Sequence, residues 1–357
     1  MQIKQLIQLF IITNVIYVAF NFSIWEFYTK KIFLGNKKEN SVGGDLSRLG
    51  YISTSLTLRK RDNNLSIKHY EGNSLALSNS NQNFDIVTIG DSFSNGGGGG
   101  ENPFYQDYIA TLYNKKVLNI QLLSDSYLNT PIVLVNSGVL EKLGVKTVIL
   151  QSVEHDFINR MTSSIDENKT MDIQDVISLC KNQKYHNTPP EYNFINNGNF
   201  KFIAYNLLRK FSDHGFFNIV YKVPLKQNLF SAQHENDLLF YGDDIKKNNL
   251  SSPSNLSIAN EHLNKLANIL KQHGIKLIVL ATPNKYTIYS DFMVEKNKYG
   301  RSTFYEEFSK LSQEYQFINS KPILQKAVAA GVKDIYYSDD THWSYKASEL
   351  IVKSMHF

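Results

Sequence analysis

Asp85-Ile86-Val87-Thr88-Ile89-Gly90-Asp91-Ser92-Phe93 is the stretch that decides the fold. Four β-branched residues bounded by Asp85 and Gly90 read as a short buried strand. Gly90 permits a tight turn, and Asp91 and Ser92 then stand where the chain leaves the strand. The same rhythm recurs on both sides of a long interruption. Residues 104–114 read as a helix, Val117–Ile120 as a second strand, 132–143 as a helix closed by Gly144, and 147–150 as a third strand. Further on, 259–273 reads as an amphipathic helix capped by Gly274, and 277–282 as a fourth strand. Helices near 303–315 and 322–330, a strand at 334–337 and a closing helix complete the pattern. Alternation of this kind implies an α/β fold, a parallel sheet flanked by helices on both faces. Residues 160–255 break the rhythm with Pro189-Pro190, many Asn and Lys, and isolated aromatic clusters. They are expected to form an insertion, a lid or a substrate-facing subdomain over residues 84–357 as a whole.

The N-terminus has a different character. No charge occurs between Lys4 and Glu26, and 6–28 is rich in Leu, Ile, Val and Phe. About 20 apolar residues span a bilayer as a helix, so 1–28 is expected to be a single-pass membrane anchor. No small-residue cleavage site follows the apolar run, which disfavours a signal peptide; a buried core helix is the other alternative. Trp25 and Tyr28 would sit at the interface. Lys30, Lys31, Lys37 and Lys38 follow the segment and only Lys4 precedes it. By loop charge alone the bulk of the chain belongs in the cytoplasm. Residues 29–83, polar and mixed, are expected to form a connecting region with little regular structure.

Composition excludes several classes. The net charge of +5 is scattered, without the dense basic stripe that nucleic-acid binding needs. The run Gly96–Gly100 is not followed by Gly-Lys-Ser/Thr, so it is no phosphate loop. No His/Cys cluster has metal-ligand spacing, and neither a metal nor a cofactor is expected. A single cysteine, Cys180, permits no internal disulfide, and it reads as a buried structural thiol.

Two motifs carry chemistry. Gly90-Asp91-Ser92-Phe93 lies at a strand's carboxyl end, where open α/β sheets place their sites. Taken alone it could equally be a helix N-cap. Asp340-Thr341-His342-Trp343 offers a base for the serine proton and a carboxylate to orient that base. Asp340 and Asp339 are both candidates for the orienter.

The two motifs together, serine first and acid–histidine last, resemble the SGNH/GDSL hydrolase superfamily over residues 84–357 apart from the insertion. That resemblance implies an SGNH-type, flavodoxin-like sheet and a Ser92–His342–Asp340 triad. It also implies an oxyanion hole from the serine N–H, a glycine N–H after the second strand and an asparagine side chain after the third. Ser124 stands in the glycine slot and His155 in the asparagine slot. Within the superfamily, Asp340-Thr341-His342-Trp343, Gly90-Asp91-Ser92-Phe93 and the segment Pro283-Asn284-Lys285-Tyr286-Thr287-Ile288-Tyr289 resemble motifs of the periplasmic alginate-type polysaccharide O-acetyltransferases. There the Pro-x-Lys and Asp-Thr-His-Trp motifs precede the serine; here they follow it, so the order is permuted. The resemblance implies Glu154, Lys285, Tyr289 and Trp343 as substrate-binding residues and a polysaccharide or oligosaccharide acceptor. It further implies an acyl donor, a membrane-bound O-acyltransferase as partner, and a catalytic domain on the outer side of the cytoplasmic membrane, against the loop charges. The expected activity is carbohydrate O-acetyl transfer. A carbohydrate or lipid esterase and a non-catalytic polysaccharide-binding or assembly subunit are the alternatives. Trp343, with Tyr192, Phe194 and Phe200 of the insertion, is expected to line or cover the crevice.

Overall fold

A computed structural model describes residues 3–34, 43–52, 66–70, 72–73, 83–123, 126–182, 193–232 and 236–357. Its centre is a parallel sheet. The strands are β1 Gly72–Asn73, β2 Ile86–Ile89, β3 Val117–Ile120, β4 Thr147–Val153, β7 Lys276–Thr282 and β8 Gln316–Asn319, in the order β1-β3-β2-β4-β7-β8. Every neighbouring pair is parallel. The remaining strands, β5 Val220–Pro224 and β6 Asp237–Tyr241, form an antiparallel pair of their own.

Side chains alternate across each strand, and the sheet therefore separates two cores. Val87, Ile89, Val148, Leu150, Leu277 and Val279 pack beneath the helices Asn129–Asn136, Glu154–Met161 and Pro253–Gln272. Ile86, Val117, Ile149, Ile278 and Leu280 pack against Tyr105–Tyr113, Ser320–Ala329 and Tyr345–Val352. Both faces are covered, which is why the strand interiors are apolar runs rather than alternating ones, with polar residues such as Gln151 and Ser152 gathered toward the carboxyl end of β4. From β2 the chain moves outward to β3, then returns to lay β4 on β2's other side. The carboxyl ends of β2 and β4 thus flank a topological switch point, where such sheets open a crevice.

Four expectations need correction. The helix read at 132–143 is two helices, Asn129–Asn136 and Val139–Lys142, broken at Gly138 with φ of +72°. The helix read at 303–315 is only Phe304–Phe308, and β8 lies in the gap between the helices read at 303–315 and 322–330, where no strand is expected. Residues 334–337 form no strand: one isolated bridge, Tyr336 to Trp343, stands there. The connecting region is not featureless, since it holds the helices Lys30–Leu34 and Asp45–Gly50 as well as β1. Leu46 and Ile52 are buried against Val220 and Leu239 of the hairpin. The insertion likewise has structure, with helices Ile173–Asn182 and Asn197–Leu208 ahead of the β5–β6 hairpin. Cys180 is buried there, and burial pushes its thiol up to about 12.

At the N-terminus one helical rod runs from Ile3 to Leu34, with a wider π-turn at Trp25–Thr29. Its first part is exposed and apolar, and it is long and apolar enough to cross a membrane. Its last part is docked: Trp25, Ile32 and Phe33 pack with Phe202 of the insertion. Asn199 fastens the joint, donating to Asn21 Oδ1 at 2.9 Å and accepting from Thr29 Oγ1 at 2.6 Å.

Candidate active site

Ser92 stands on the turn after β2, exposed at the floor of a cleft of about 230 Å³. Asp91 shapes that turn. Its Oδ1 accepts the Phe93 N–H at 3.1 Å, while its Oδ2 accepts the Val153 N–H at 2.8 Å and Arg160 Nη1 at 2.6 Å. Gly90 is obligatory: a Cβ there would lie 2.2 Å from Ser94 Oγ and 2.3 Å from Gln151 Oε1. Those two atoms bond one another at 2.9 Å, and Gln151 also accepts the Asp91 N–H at 3.0 Å. The turn is therefore held by a buried polar net, which fixes the serine's direction.

His342 Nε2 lies 2.7 Å from Ser92 Oγ, and its Nδ1 lies 2.6 Å from Asp340 Oδ1. The same Asp340 oxygen accepts the His342 N–H at 3.0 Å. Asp339 is not placed to orient the imidazole, because its Oδ2 accepts the Gly44 N–H at 2.8 Å. A second acid approaches instead. Asp45 Oδ2 is 3.7 Å from His342 Nδ1, and the Asp45 carboxylate accepts from Thr341 N at 2.7 Å and from Thr341 Oγ1. Burial, and after it the Asp340 charge, push the Asp45 carboxyl up to about 6. Burial by itself would lower the His342 pKa. The Asp340 charge and hydrogen bond, with Asp45 and Asp91 behind them, more than offset burial and raise it.

The glycine run forms part of this site. A Cβ on Gly97 would meet the His342 ring at 2.3 Å, and the Gly97 N–H donates to Ser92 O at 2.6 Å. Gly98, at φ of +85°, passes against Tyr337 and His342 Cβ.

His155, expected as an oxyanion donor, lies in the cleft wall with Ser92, Asp156, Arg160, Tyr241 and Asp244. Its Nδ1 is 2.8 Å from Asn284 Oδ1 and 3.2 Å from Asp244 Oδ1. Burial disfavours its charge, but Asp244 and then Asp156 outweigh burial and raise its pKa. Lys285 touches the cleft but is spent beneath it. Its buried ammonium donates to the carbonyls of Tyr337, Ser338 and Asp340 at 2.6, 2.8 and 3.0 Å. Glu154 is buried and accepts the Asn284 N–H at 2.9 Å, and burial raises its pKa. Tyr289 is core, its hydroxyl accepting the Tyr336 N–H. Trp343 is 2% exposed and packs edge-on against Phe93 and Tyr105, which leaves no face for a sugar ring. Phe194 and Phe200 contact the N-terminal helix through Phe22, Tyr17 and Phe20 rather than covering the cleft. Ser124 and Tyr192 lie outside the described residues.

A serine–imidazole–carboxylate chain at the switch point of a doubly covered parallel sheet is the arrangement of an SGNH-like hydrolase or acyltransferase. Residues 233–353 match the family described as "SGNH hydrolase-like domain, acetyltransferase AlgX". The matched stretch contains Pro283–Tyr289 and Asp340–Trp343 and excludes Ser92. A search of curated proteins found no match to the chain.

Proposed function

We propose that the protein is a carbohydrate O-acetyltransferase working through an acyl-serine. One observation carries the reading: Ser92 Oγ, His342 and Asp340 stand in hydrogen-bonded sequence, at 2.7 and 2.6 Å, on a cleft floor. The similarity of residues 233–353 to an acetyltransferase domain supports the acetyl group. Ser92 Oγ attacks the carbonyl carbon of an acyl donor while its proton passes to His342 Nε2. Asp340 holds the imidazole tautomer and stabilises the imidazolium. The Ser92 N–H and the His155 ring are the donors for the developing oxyanion. Collapse of the tetrahedral adduct expels the donor's leaving group, which takes the His342 proton. A sugar hydroxyl then gives its proton to His342 and attacks the ester, and serine is released.

An esterase uses the same chain with water in place of the sugar. A non-catalytic subunit has no need of a base at 2.7 Å from an exposed serine, and this contact counts against it. The domain is proposed to face the extracytoplasmic side and to receive its acyl group from a membrane-bound O-acyltransferase. Incubation with a chromogenic acetyl ester, with and without oligosaccharide acceptors, tests the reading. Acetylated oligosaccharide by mass spectrometry is expected to exceed free acetate. Acetate as sole product with every acceptor makes the protein an esterase.

A further inference from the structure

The insertion carries an apolar face that, beyond Phe200, no described residue covers. On Asn197–Leu208 and the turn after it, Phe200, Ile203, Ala204, Leu207 and Phe211 are all exposed. Their spacing of three and four places them along one side of the helix. Leu207 is 56% exposed and Phe211 74%, and the next turn adds Phe217 at 83%. The opposite side, with Phe202, is buried against the N-terminal rod. Such a stripe normally faces inward; an outward one marks a contact surface.

Two observations identify what it contacts. The stripe is continuous with the apolar N-terminal helix, because Phe200 lies 6.0 Å from the Tyr17 ring and 4.8 Å from the Phe20 ring. Cations also border it. Arg209 packs over the Tyr205 ring at 5.6 Å, with its guanidinium nitrogens buried. Lys201 and Lys210 are exposed beside it. An apolar helix face edged by basic side chains is the pattern of a helix lying in a membrane interface. Exposed ammonium groups along such an edge pair with the phosphates of anionic headgroups.

We infer that Asn197–Leu208 and the turn to Phe217 dock onto the surface of an anionic phospholipid bilayer, beside the point where the N-terminal helix leaves it. The inference rests on the membrane-anchor reading of that helix. The stripe then sets the tilt of the domain, and so the height at which the Ser92 cleft meets the membrane. A rod gripped only by its end leaves the domain free to swing, whereas a second contact at Phe211 and Phe217 holds one orientation.

The test uses the full chain in nanodiscs of phosphatidylcholine with or without phosphatidylglycerol. Single nitroxide labels are placed at Ile203→Cys, Leu207→Cys, Ile11→Cys and Lys271→Cys. Native Cys180 is buried and stays unlabelled. Collision rates with oxygen and with a water-soluble nickel chelate report depth. Labels at 11, 203 and 207 are expected to favour oxygen several-fold over label 271. Lys201→Gln combined with Lys210→Gln is expected to abolish any gain from phosphatidylglycerol at 203 and 207. A lipid-buried label at 11 with aqueous labels at 203 and 207 overturns the inference and leaves the anchor intact. An aqueous label at 11 overturns both. Protection of 203 and 207 that depends on protein concentration rather than on lipid overturns it in favour of a second copy of the chain.

Discussion

Two carboxylates face His342, and they come from opposite ends of the chain. Asp340 was legible because it stands two residues before the histidine. Asp45 was not, because nothing local in Gly43-Gly44-Asp45 announces a partner 296 residues away. The same blindness hid Arg160, whose role is visible only through its bond to Asp91. Since Asp45 helps raise the His342 pKa, the acid limb of kcat/KM against pH should lie above the ordinary histidine range near 6.5. Asp45→Asn should move that limb to lower pH, and a pH–rate profile checks it. The folded pKa of Asp45 exceeds its unfolded value. Its stabilising contribution is therefore present below about 3.8 and lost as pH rises through about 6. A thermal melt of Asp45→Asn at pH 8 should accordingly show a midpoint no lower than the parent's. Ser92→Ala should abolish acetyl-ester turnover with a stability change within about 0.5 kcal/mol, because the side chain is exposed. Lys285→Met should do the reverse. It takes a charged donor from three buried carbonyls, and each such hydrogen bond contributes about 1.5–3 kcal/mol. Chemical denaturation should show the loss directly.

At the scale of elements, the apolar strands were the easiest to read. Val117–Ile120 has the bounds expected, and β2 ends one residue before Gly90. Strand β8 escaped because Gln316, Phe317, Ile318 and Asn319 lie between helical stretches without a turn signal. The segment at 334–337 misled in the other direction. Ile335, Tyr336 and Tyr337 are buried and apolar, but their backbone serves the loop that carries Asp340 and His342. Composition could not say which glycines of Gly96–Gly100 touch anything. Packing separates Gly97, which contacts His342, from Gly99, which has no atom within 4 Å of its Cβ position. Gly97→Ala should therefore cut kcat at least tenfold by displacing the imidazole. Gly99→Ala carries only the strain of its φ of +64°, about 1 kcal/mol, and should keep most activity. Steady-state kinetics on the two variants, with melts alongside, separates displacement from strain.

Across the whole molecule, the anchor and the site share one piece of chain. Ile3–Ile24 is exposed, whereas Asp45–Gly50 is wedged against the Asp339–Thr341 loop through Gly44 N, Asp45 N and Ser47 N. Deletion of residues 1–24 should release a soluble protein that still turns over ester, while deletion of 1–52 should abolish turnover. Fractionation followed by an ester assay decides both. A detergent-free soluble full-length chain contradicts the anchor reading.

The closing contacts have a consequence in time. The nucleophile emerges from the ribosome 250 residues ahead of its base, and Asp45 waits 295 residues for the Asp340 carboxylate that its amide meets. Contacts of such separation form late, after the local elements are in place. A growing chain thus holds Ser92 without its partner until residue 342 is made. The proposed acyl transfer is then expected only in copies that extend past His342, and a copy terminated before it is expected to be chemically silent.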